Sequence, residues 1–471
     1  MNLSRLLAIP VLLCCVAPIQ AAERAPQRPN IVLMYTDDQR YDALSIAGHP
    51  FLQTPNLDRL AREGAYCRNA FVTISLCGPS RASILTGQYA HTHGVIRNNG
   101  TDLPADAVTY PKLLQKAGYQ TAYVGKWHQA LHDEPRPGFD YWVSYRGQGL
   151  YYKCRINENG KRSQPEGYID DIMTDYAIRW IREGRDPSKP FALTLGFKSV
   201  HGPFTPPERT KDLYADVELT RPATYNVDLS NRPAFIRKWI ENEIGKHMLF
   251  EYDVFIRNYN RCIRGTDDNV GRVIAALEEA GLLENTLVVF TSDNGYYQSE
   301  HGGLFDKRSA YEESIRVPML ILWPARIRPG TQLEPMVLNI DLAPTFLDAA
   351  GVPIPASMHG RSMLPLFDGR QESWRKSFFY EYFREKNYPN TPTIQAVRTE
   401  RYKYITYLNP EDRPELFDLQ RDPHETRNLH DDPAVAGVLA ELRSELDRLR
   451  KETGAPSPEE LRAEKIDIPA N

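Results

Sequence analysis

The segment NIVLMYTDD (residues 30–38) indicates the fold class, because an unbroken apolar run passes directly into two aspartates. A continuous run of large apolar residues is typical of a strand that is buried on both faces of a parallel sheet. Because ligands of such sheets bind beyond the carboxyl ends of the strands, we expect the polar residues that follow each strand to meet at one edge. Three later segments end in the same manner: YQTAYVGKWH at Lys126 and His128, PFALTLGFKSVH at His201, and TLVVFTSDNG at Asp293 and Asn294.

Helices are predicted between these strands. Residues 54–64 and 270–281 have helical periodicity, and in the second segment apolar side chains recur at three- and four-residue intervals until Gly281. Strands that alternate with helices predict an α/β fold, with a large, mixed but mostly parallel sheet flanked by helices. We assign this fold to a catalytic domain over residues 27–352.

The character of the sequence changes near Pro353. Short segments such as SFFYEYF and PELFDL are separated by Pro, Asn and Asp, which predicts a smaller C-terminal subdomain with an antiparallel sheet over residues 353–451. Leucines at positions 439, 442, 446 and 449 predict a helix that packs on this sheet. We expect residues 452–471 to form a loose tail.

Residues 1–22 have the layout of a secretory signal peptide. Arg5 precedes an apolar stretch from Leu6 to Ala17, and small residues follow at Ala21 and Ala22. A membrane anchor is the alternative, but the stretch is shorter than the ~20 residues that span a bilayer. Lipid attachment at Cys14 or Cys15 is disfavoured because the leucines before them are larger than the residues that normally precede such a site. The mature chain is therefore expected to be exported, either periplasmic or secreted, with no membrane span.

Composition limits the partners and the redox chemistry. The 57 Lys and Arg and 61 Asp and Glu residues give a net charge of −4, which argues against nucleic acid and requires a local site for any anionic substrate. Four cysteines remain after residue 22, too few for a disulfide scaffold, although one disulfide can form in an oxidising compartment. If Cys77 serves chemistry, at least one of Cys67, Cys154 and Cys262 lacks an intramolecular partner, and the sequence leaves their pairing open.

The segment CGPSRASILTG (residues 77–87) places a cysteine where a helix begins. Pro79 suits the first helical turn, and the N-terminus of a helix favours negative charge. Arg81, four residues after Cys77, falls on the same helical face. Alone, these residues fit a reactive site and a buried structural cysteine about equally well.

This segment resembles the signature of the type I sulfatases, Cys-x-Pro-Ser-Arg followed by Leu-Thr-Gly. GYQTAYVGKWH (residues 118–128) resembles the second signature of that family, and TDD, SDNG and EHGGLFDK match in kind and order. The resemblance runs from about Asn30 into the C-terminal strands. It implies the fold shared by sulfatases and alkaline phosphatase, and hydrolysis of a sulfate ester.

For Cys77 the resemblance implies oxidation to Cα-formylglycine by a formylglycine-generating enzyme before the chain folds. The hydrated aldehyde is a geminal diol, of which one hydroxyl attacks sulfur and the other drives the release of sulfate. Matching positions also imply one Ca²⁺ ion, because an all-oxygen, carboxylate-rich ligand set suits a hard cation. The implied ligands are Asp37, Asp38, Asp293, Asn294 and the modified Cys77. A helix cap or turn is the alternative reading of the Asp37–Asp38 pair.

The resemblance also implies roles for the remaining site residues. Arg81 would orient the diol, and Lys126 and Lys307 would hold sulfate oxygens whose charge grows in the transition state. His128 would contact the diol and accept a proton, whereas His201 would protonate the leaving oxygen. The alternative for each histidine is a structural role in a loop.

Further histidines and aromatic residues leave alternatives open. His301 either lines the substrate pocket or braces the loop that carries Lys307. His91 and His93 form a His-x-His pair, but without a third ligand nearby they favour packing over metal binding. The aromatic segment at residues 141–152 can stack on sugar rings, and the more common alternative for such a cluster is a packed loop.

The leading hypothesis is a formylglycine-dependent sulfatase that acts on a sulfated carbohydrate. TDDQ, SILTGQYAHTHGV and EHGGLFDKRSAYEES resemble sulfatases of the glycosaminoglycan and other sulfated-glycan type, including N-acetylglucosamine-6-sulfatases. A phosphonate or phosphate monoester hydrolase on the same fold is the second hypothesis. An inactive glycan-binding relative is the third, and it is disfavoured because every aligned catalytic position carries a competent residue.

Overall fold

The structure is a computed structural model that describes residues 28–98, 100–241 and 251–463. Its strands follow one another as β1 (Asn30–Thr36), β2 (Ala65–Cys67), β3 (Ala70–Phe71), β4 (Gln120–Lys126), β5 (Tyr141–Tyr145), β6 (Ile156–Glu158), β7 (Lys161–Ser163), β8 (Phe191–Gly196), β9 (Thr286–Ser292), β10 (Tyr297–Ser299), β11 (Leu304–Asp306), β12 (Met319–Leu322), β13 (Thr331–Leu333), β14 (Val337–Leu338), β15 (Ser377–Tyr382), β16 (Ile394–Thr399), β17 (Tyr402–Tyr407) and β18 (Glu415–Asp418).

The helices are α1 (Pro55–Glu63), α2 (Cys77–Thr86), α3 (Ala90–His93), α4 (Tyr110–Lys116), α5 (Ile169–Arg179), α6 (Ala234–Ile240), α7 (Tyr252–Glu279), α8 (Glu300–Gly303), α9 (Glu312–Ile315), α10 (Leu342–Ala349), α11 (Leu364–Phe367), α12 (Ala436–Thr453) and α13 (Pro458–Ala463). Short 3₁₀ segments lie at Ser45–Ala47, Glu208–Thr210, Ala223–Asn226, Leu283–Asn285, Asn339–Asp341 and Pro433–Val435, and a π-helical turn at Trp180–Gly184 extends α5.

The main sheet has the strand order β13-β2-β12-β9-β1-β8-β4-β5-β6-β7 within the described residues. Strands β9, β1, β8 and β4 are neighbours and run parallel, and the side chains of β1, β8 and β9 are buried along their whole length. Helices on both faces cover these apolar strands, as expected for a parallel sheet. The predicted α/β fold with a large, mostly parallel mixed sheet is confirmed, and the four predicted strand ends share one edge.

One glycine allows two of these strands to approach closely near that edge. Gly125 has a φ of +115°, and a Cβ atom at this position would clash with the carbonyl oxygen of Gly196 on β8. The next residue, Lys126, ends β4 beside the site. Any L side chain at position 125 would separate β4 from β8 or twist the strand that carries Lys126.

The C-terminal part forms a separate antiparallel sheet, β15-β16-β17-β18, as predicted. Helix α12 contacts β15, β16 and β17, and three of the four leucines in the predicted stripe, Leu442, Leu446 and Leu449, are buried. The described part of the predicted tail, residues 452–463, is ordered, because α13 follows α12 and Leu461 is fully buried, whereas residues 464–471 lie outside the described residues. Leu461 belongs to the hydrophobic core cluster that also contains Leu442, Leu446 and Leu449, and its burial favours packing of α13 against the protein.

Two further expectations concern helix length and the cysteines. The periodic segment 270–281 is the end of the longer helix α7, and Gly281, with a φ of +67°, terminates it as predicted. The four cysteines of the described chain, Cys67, Cys77, Cys154 and Cys262, are all buried and free. The predicted signal peptide, residues 1–22, lies outside the described residues. In the part of the chain that is described, no helix combines the length and apolarity needed to cross a membrane.

Candidate active site

Three aspartates come together where the parallel strands end. Asp37 and Asp38 follow β1, and Asp293 follows the neighbouring β9. Their carboxylate oxygens and the Cys77 sulfur lie within 4.8 Å of one another. All four side chains are buried, and Asp38 has a φ of +70° that turns the chain back at the end of β1. The sequence prediction that these strand ends converge is confirmed.

Cys77 is the first residue of α2 and points into this cluster. Its Sγ lies 3.1 Å from Asp37 Oδ1 and 3.0 Å from Lys307 Nζ. The adjacent Gly78 N–H donates to Asn98 Oδ1 at 2.9 Å, which fixes the start of the helix. Burial raises the pKa of the Cys77 thiol to about 12. An unmodified thiol is thus protonated at neutral pH and a poor nucleophile.

Three cations face the three aspartates. Arg81 donates from Nε to Asp293 Oδ2 at 2.7 Å and lies 3.3 Å from Asp37 Oδ2 through Nη2. Lys126 contacts Asp37, and Lys307 contacts Asp38. Buried charges require such partners, because each ion loses its hydration on folding. We call these six residues, Asp37, Asp38, Arg81, Lys126, Asp293 and Lys307, the strand-end cluster.

The two predicted catalytic histidines flank this cluster. His201 Nδ1 donates to the Gly202 carbonyl oxygen at 2.9 Å, which leaves Nε2 facing the cluster, 4.0 Å from Asp38 Oδ2. His128 is buried, and its Nδ1 has no hydrogen-bond partner among the described residues. Burial and the nearby lysines lower the pKa of both imidazoles well below the ordinary value, so both are neutral at pH 7.

The donor atoms at the strand ends fit a hard divalent cation. Asp37, Asp38 and Asp293 supply carboxylate oxygens, and the side-chain oxygen of Asn294 is buried without a hydrogen-bond partner in the described structure. The amide nitrogen of Asn294 donates to Asp38 Oδ1 at 2.6 Å, so its orientation is set. A buried amide oxygen without a donor is costly unless a cation contacts it. This all-oxygen set is the kind that Ca²⁺ prefers.

A cavity of about 480 Å³ opens above the cluster. Its floor includes Asp38, His128, His201 and Lys307, and its rim includes Trp239, Arg308 and the loop between β15 and β16. Cavities of this size bind small ligands, usually with a few polar groups that fix orientation. Asp38, His128 and Lys307 are therefore in contact with the cavity even though their side chains are buried.

Comparison with known proteins agrees with this geometry. The family model named Sulfatase matches residues 29–352, which is more than half of the chain, and the model of the N-sulphoglucosamine sulphohydrolase C-terminal region matches residues 299–452. The chain belongs to the sulfatase family. The expected resemblance to sulfatases is thereby confirmed, as is the expectation that the protein is an enzyme of this family.

Two curated relatives extend along most of this sulfatase. N-acetylglucosamine-6-O-sulfatase of Bacteroides thetaiotaomicron is 34% identical over an alignment that covers 92% of this chain and 88% of that protein. Human N-acetylglucosamine-6-sulfatase is 31% identical, with coverage of 79% of this chain and 70% of the human protein.

Solved structures confirm the fold. A protein in complex with its substrate D-glucosamine-2-N, 6-O-disulfate has a TM-score of 0.85 and 32% identity, and the match covers 92% of this chain and 100% of that chain. Phosphonate monoester hydrolase of Agrobacterium radiobacter has a TM-score of 0.75 at 22% identity, and the match covers 90% of this chain and 96% of that one. The second likeness concerns the fold alone.

His301, which the sequence allowed as a residue that lines the substrate pocket, does not line the cavity in this sulfatase. It is fully buried, its Nε2 lies 3.0 Å from Glu313 Oε2, and it stacks on Tyr311 with ring centroids 4.2 Å apart. It is not among the described residues that line the cavity. The structure therefore favours the bracing role, which the local sequence left open because the same loop carries Lys307.

His91 and His93 pack as expected. His91 Nδ1 lies 2.9 Å from Glu381 Oε2, and His93 Nε2 lies 3.0 Å from Ser83 Oγ. The residues of the aromatic segment 141–152 differ in exposure: Trp142 and Tyr145 are buried in the core, whereas Tyr152 is exposed.

Sequence reasoning missed several residues of the cavity. Gln148 contacts Lys126 through its side-chain oxygen, and Asn98 holds the start of α2. Arg308 lines the rim and donates to Glu385 Oε2 at 2.7 Å, with its guanidinium 3.4 Å from the centre of the Tyr388 ring. Arg308 had a local signal in its position next to Lys307, and Gln148 lies within the aromatic segment at residues 141–152, whereas Asn98 comes from a loop without a recognisable pattern.

Proposed function

We propose that this sulfatase removes the 6-sulfate of a glucosamine or N-acetylglucosamine residue in a sulfated glycan. The observation that carries the proposal is the cavity of about 480 Å³ that is lined by Asp38, His201 and Lys307. The Cys77 sulfur lies 3.0 Å from Lys307 Nζ and within 4.8 Å of the carboxylate oxygens of the three aspartates. Two curated relatives that match most of the chain are named as N-acetylglucosamine 6-sulfatases, and the solved complex contains D-glucosamine-2-N, 6-O-disulfate as its substrate.

Ca²⁺ is the proposed metal, with Asp37, Asp38, Asp293 and Asn294 as its ligands together with residue 77. The partnerless Asn294 oxygen and the cluster of three carboxylates support this assignment. When bound, the ion polarises the sulfate group and favours an ionised oxygen nucleophile. It also adds positive charge to a cluster in which cations and carboxylates balance, which suits an anionic substrate.

Formylglycine made from Cys77 is the proposed nucleophile precursor. Cys77 is fully buried, so a formylglycine-generating enzyme must act before the chain folds. The Cys77 Sγ stands where the oxygen atoms of the hydrated aldehyde would lie, between Asp37 and Lys307. When present, the hydrated aldehyde supplies an oxygen nucleophile for sulfur.

The remaining residues of the cluster hold and polarise the substrate. Lys126 and Lys307 donate to sulfate oxygens, whose negative charge increases as the ester bond breaks. Arg81 donates hydrogen bonds to Asp293 and to the Lys126 carbonyl oxygen. These bonds hold its guanidinium in a fixed position, from which it orients residue 77. His128, neutral and with a free Nδ1, accepts a proton from residue 77.

His201 protonates the departing sugar oxygen. Its Nε2 faces the cavity, and an anionic sulfate ester bound beside it raises its pKa toward the protonated form. Protonation matters for a sugar alcohol because an alkoxide leaves poorly, whereas a phenolate leaves without help.

The test is sulfate release from a panel of defined saccharides, with protein produced together with a formylglycine-generating enzyme and supplied with Ca²⁺. The panel compares glucosamine 6-sulfate and N-acetylglucosamine 6-sulfate with glucosamine 3-sulfate and galactose 6-sulfate. We expect the two glucosamine 6-sulfates to be the best substrates by at least tenfold in kcat/KM. A clear preference for another sugar or position would refute the substrate assignment.

The same assay separates the alternative functions. Rates on the 6-phosphate of the same sugar distinguish a phosphate ester hydrolase, which would prefer phosphate over sulfate. An inactive glycan-binding relative would bind the saccharides and release no sulfate.

Export is proposed from the signal-peptide layout of residues 1–22. The N-terminal residue of protein recovered from the periplasm or the culture medium should follow Ala21 or Ala22. An intact Met1 on the active protein would contradict it.

A further inference from the structure

A second groove adjoins the active-site cavity and lies at the same edge of the main sheet. Its volume is about 690 Å³, and Leu131 lines both the groove and the cavity. Leu131 is 52% exposed and forms the ridge between the two spaces. Leu131 is thus the residue over which a saccharide would have to extend to occupy both the cavity and the groove.

The sheet brings one wall of this groove next to the sulfate-binding lysine. Tyr145, the last residue of β5, pairs in register with Lys126 on β4, and Arg146 follows directly. Adjacent strands lie about 4.8 Å apart, so Arg146 starts one strand away from the strand-end cluster. Arg146 lines the groove, whereas the next residue, Gly147, lines the cavity.

The groove has two arginines without acidic partners. Arg146 and Arg155 are exposed, and neither guanidinium makes a hydrogen bond or ion pair with any described residue. The acids of the groove are already engaged, because Arg162 Nη2 lies 2.7 Å from Asp133 Oδ1 and 2.9 Å from Glu134 Oε1. The groove therefore carries unbalanced positive charge on a chain whose net charge is −4.

We infer that this groove binds a second anionic substituent of the substrate, a sulfate or a carboxylate on the sugar next to the one that is desulfated. Guanidinium groups bind both oxyanions with two parallel hydrogen bonds. The inference rests on the proposed function, because it takes the substrate to be a sulfated glycan. It identifies Arg146 and Arg155 as specificity-determining residues that favour an oligosaccharide over a monosaccharide.

The experiment measures kcat/KM of wild-type protein and the double variant Arg146→Ala/Arg155→Ala on four substrates. One is glucosamine 6-sulfate, and three are disaccharides whose second sugar carries no charge, a carboxylate only, or a sulfate only. We expect the variant to lose about 3- to 20-fold on one or both charged disaccharides, the range of two exposed ion pairs. The monosaccharide and the neutral disaccharide should stay within about twofold of wild type.

The pattern of losses identifies the anion. Loss on the carboxylate disaccharide alone assigns the groove to a uronate, and loss on the sulfate disaccharide alone assigns it to a second sulfate. Salt of about 0.5 M should shrink the preference of the wild-type protein for charged disaccharides and leave the variant nearly unchanged. Equal losses on all four substrates, or none on either charged disaccharide, would overturn the inference.

A matched control variant tests whether the loss is specific to the groove, and a binding measurement tests the groove without relying on turnover. Arg328→Ala removes an exposed arginine that follows β12, at the end of the main sheet where the parallel strands begin. This variant should leave the ratios of kcat/KM among the four substrates unchanged. Calorimetric affinities for the four saccharides in a Cys77→Ser background should reproduce the same loss for the charged disaccharides. If wild-type protein released no sulfate from any substrate, the proposed function would fail, and these affinities would still decide the role of the groove.

Discussion

Two buried clusters of charged side chains in this protein look alike in composition and differ in access. The strand-end cluster lies at the carboxyl ends of β1, β4 and β9. The second, which we call the junction cluster, consists of His301, Glu312, Glu313, Lys403 and Glu425 and joins the segment around α8 and α9 to the C-terminal sheet. Both bring groups of potential metal ligands within 4.8 Å of one another.

The difference lies in what each cluster faces. Asp38 and Lys307 of the strand-end cluster line the cavity, whereas no member of the junction cluster is among the described residues that line it. Lys403 Nζ lies 2.7 Å from Glu312 Oε1 and 2.8 Å from Glu425 Oε1, so the charged groups of the junction cluster pair with one another. A cluster of buried charges therefore occurs at a structural junction as well as at an active site. The two kinds of cluster are distinguished by whether a ligand can reach them.

The largest expected effect comes from removing an aspartate of the strand-end cluster. Asp293→Ala deletes a proposed Ca²⁺ ligand and the partner of Arg81, so sulfate release should fall by at least about 10³-fold while circular dichroism shows a folded protein. Calorimetry should show weakened Ca²⁺ binding. Asp212→Ala, at an exposed position, is the matched control and should behave as wild type. An active, metal-free Asp293→Ala protein would remove the metal from the account.

The next effect should depend on the leaving group. His201→Ala should lower kcat on a sugar sulfate by about 10²- to 10⁴-fold, the range of general acid catalysis, and much less on an activated aryl sulfate. The exposed His424 provides the control, because His424→Ala should change neither rate. Equal losses on the two substrates would assign His201 to binding and not to proton transfer.

The junction cluster should respond in the opposite way. Lys403→Met leaves Glu312 and Glu425 buried without their ammonium partner, and breaking a buried pair of this kind costs about 3–5 kcal/mol. We expect the free energy of unfolding in urea to fall by this amount, while kcat per folded molecule stays near wild type. A large loss of kcat in folded protein would abolish the distinction between the two clusters.

The smallest effect is a change in the pH dependence of stability. Burial and the neighbouring Glu312 and Glu313 raise the pKa of Glu425 from 4.5 to about 7, although Lys403 opposes this. Between these pH values the folded protein binds more protons than the unfolded chain, so this group lowers stability as pH rises. Glu425→Gln should flatten that decline in urea unfolding measured from pH 4.5 to 7.5. An unchanged slope would contradict the assignment.

The floor of the site was predictable from the sequence because its residues follow strands in motifs. An apolar run fixes where β1 and β9 end, and the sheet then brings Asp37 and Asp293 together. The motif after residue 77 likewise placed Arg81 on the face of α2 that meets Asp293. Local pattern and topology agree at these positions, which makes them readable without a structure.

The rim and the junction cluster were not predictable for a physical reason. Arg308 meets Glu385 across 77 residues, and Lys403 meets Glu312 across 91, so each pair forms only when two subdomains pack. His301 shows the consequence, because its loop is recognisable while its contact with Glu313 and its stacking on Tyr311 depend on that packing. The ends of loops carry little periodicity from which to infer such contacts.

The measurement that tests the account most directly is mass spectrometry of residue 77 in active protein. Trypsin should release the peptide spanning residues 69–81, which contains one cysteine and ends at Arg81. Protein produced with a formylglycine-generating enzyme should yield this peptide about 18 Da lighter than the unmodified form, as expected when –CH₂SH becomes an aldehyde. The modified fraction should rise in proportion to specific activity, and protein made without that enzyme should be unmodified and inactive. Full sulfate release from protein that carries only unmodified Cys77 would contradict the central claim.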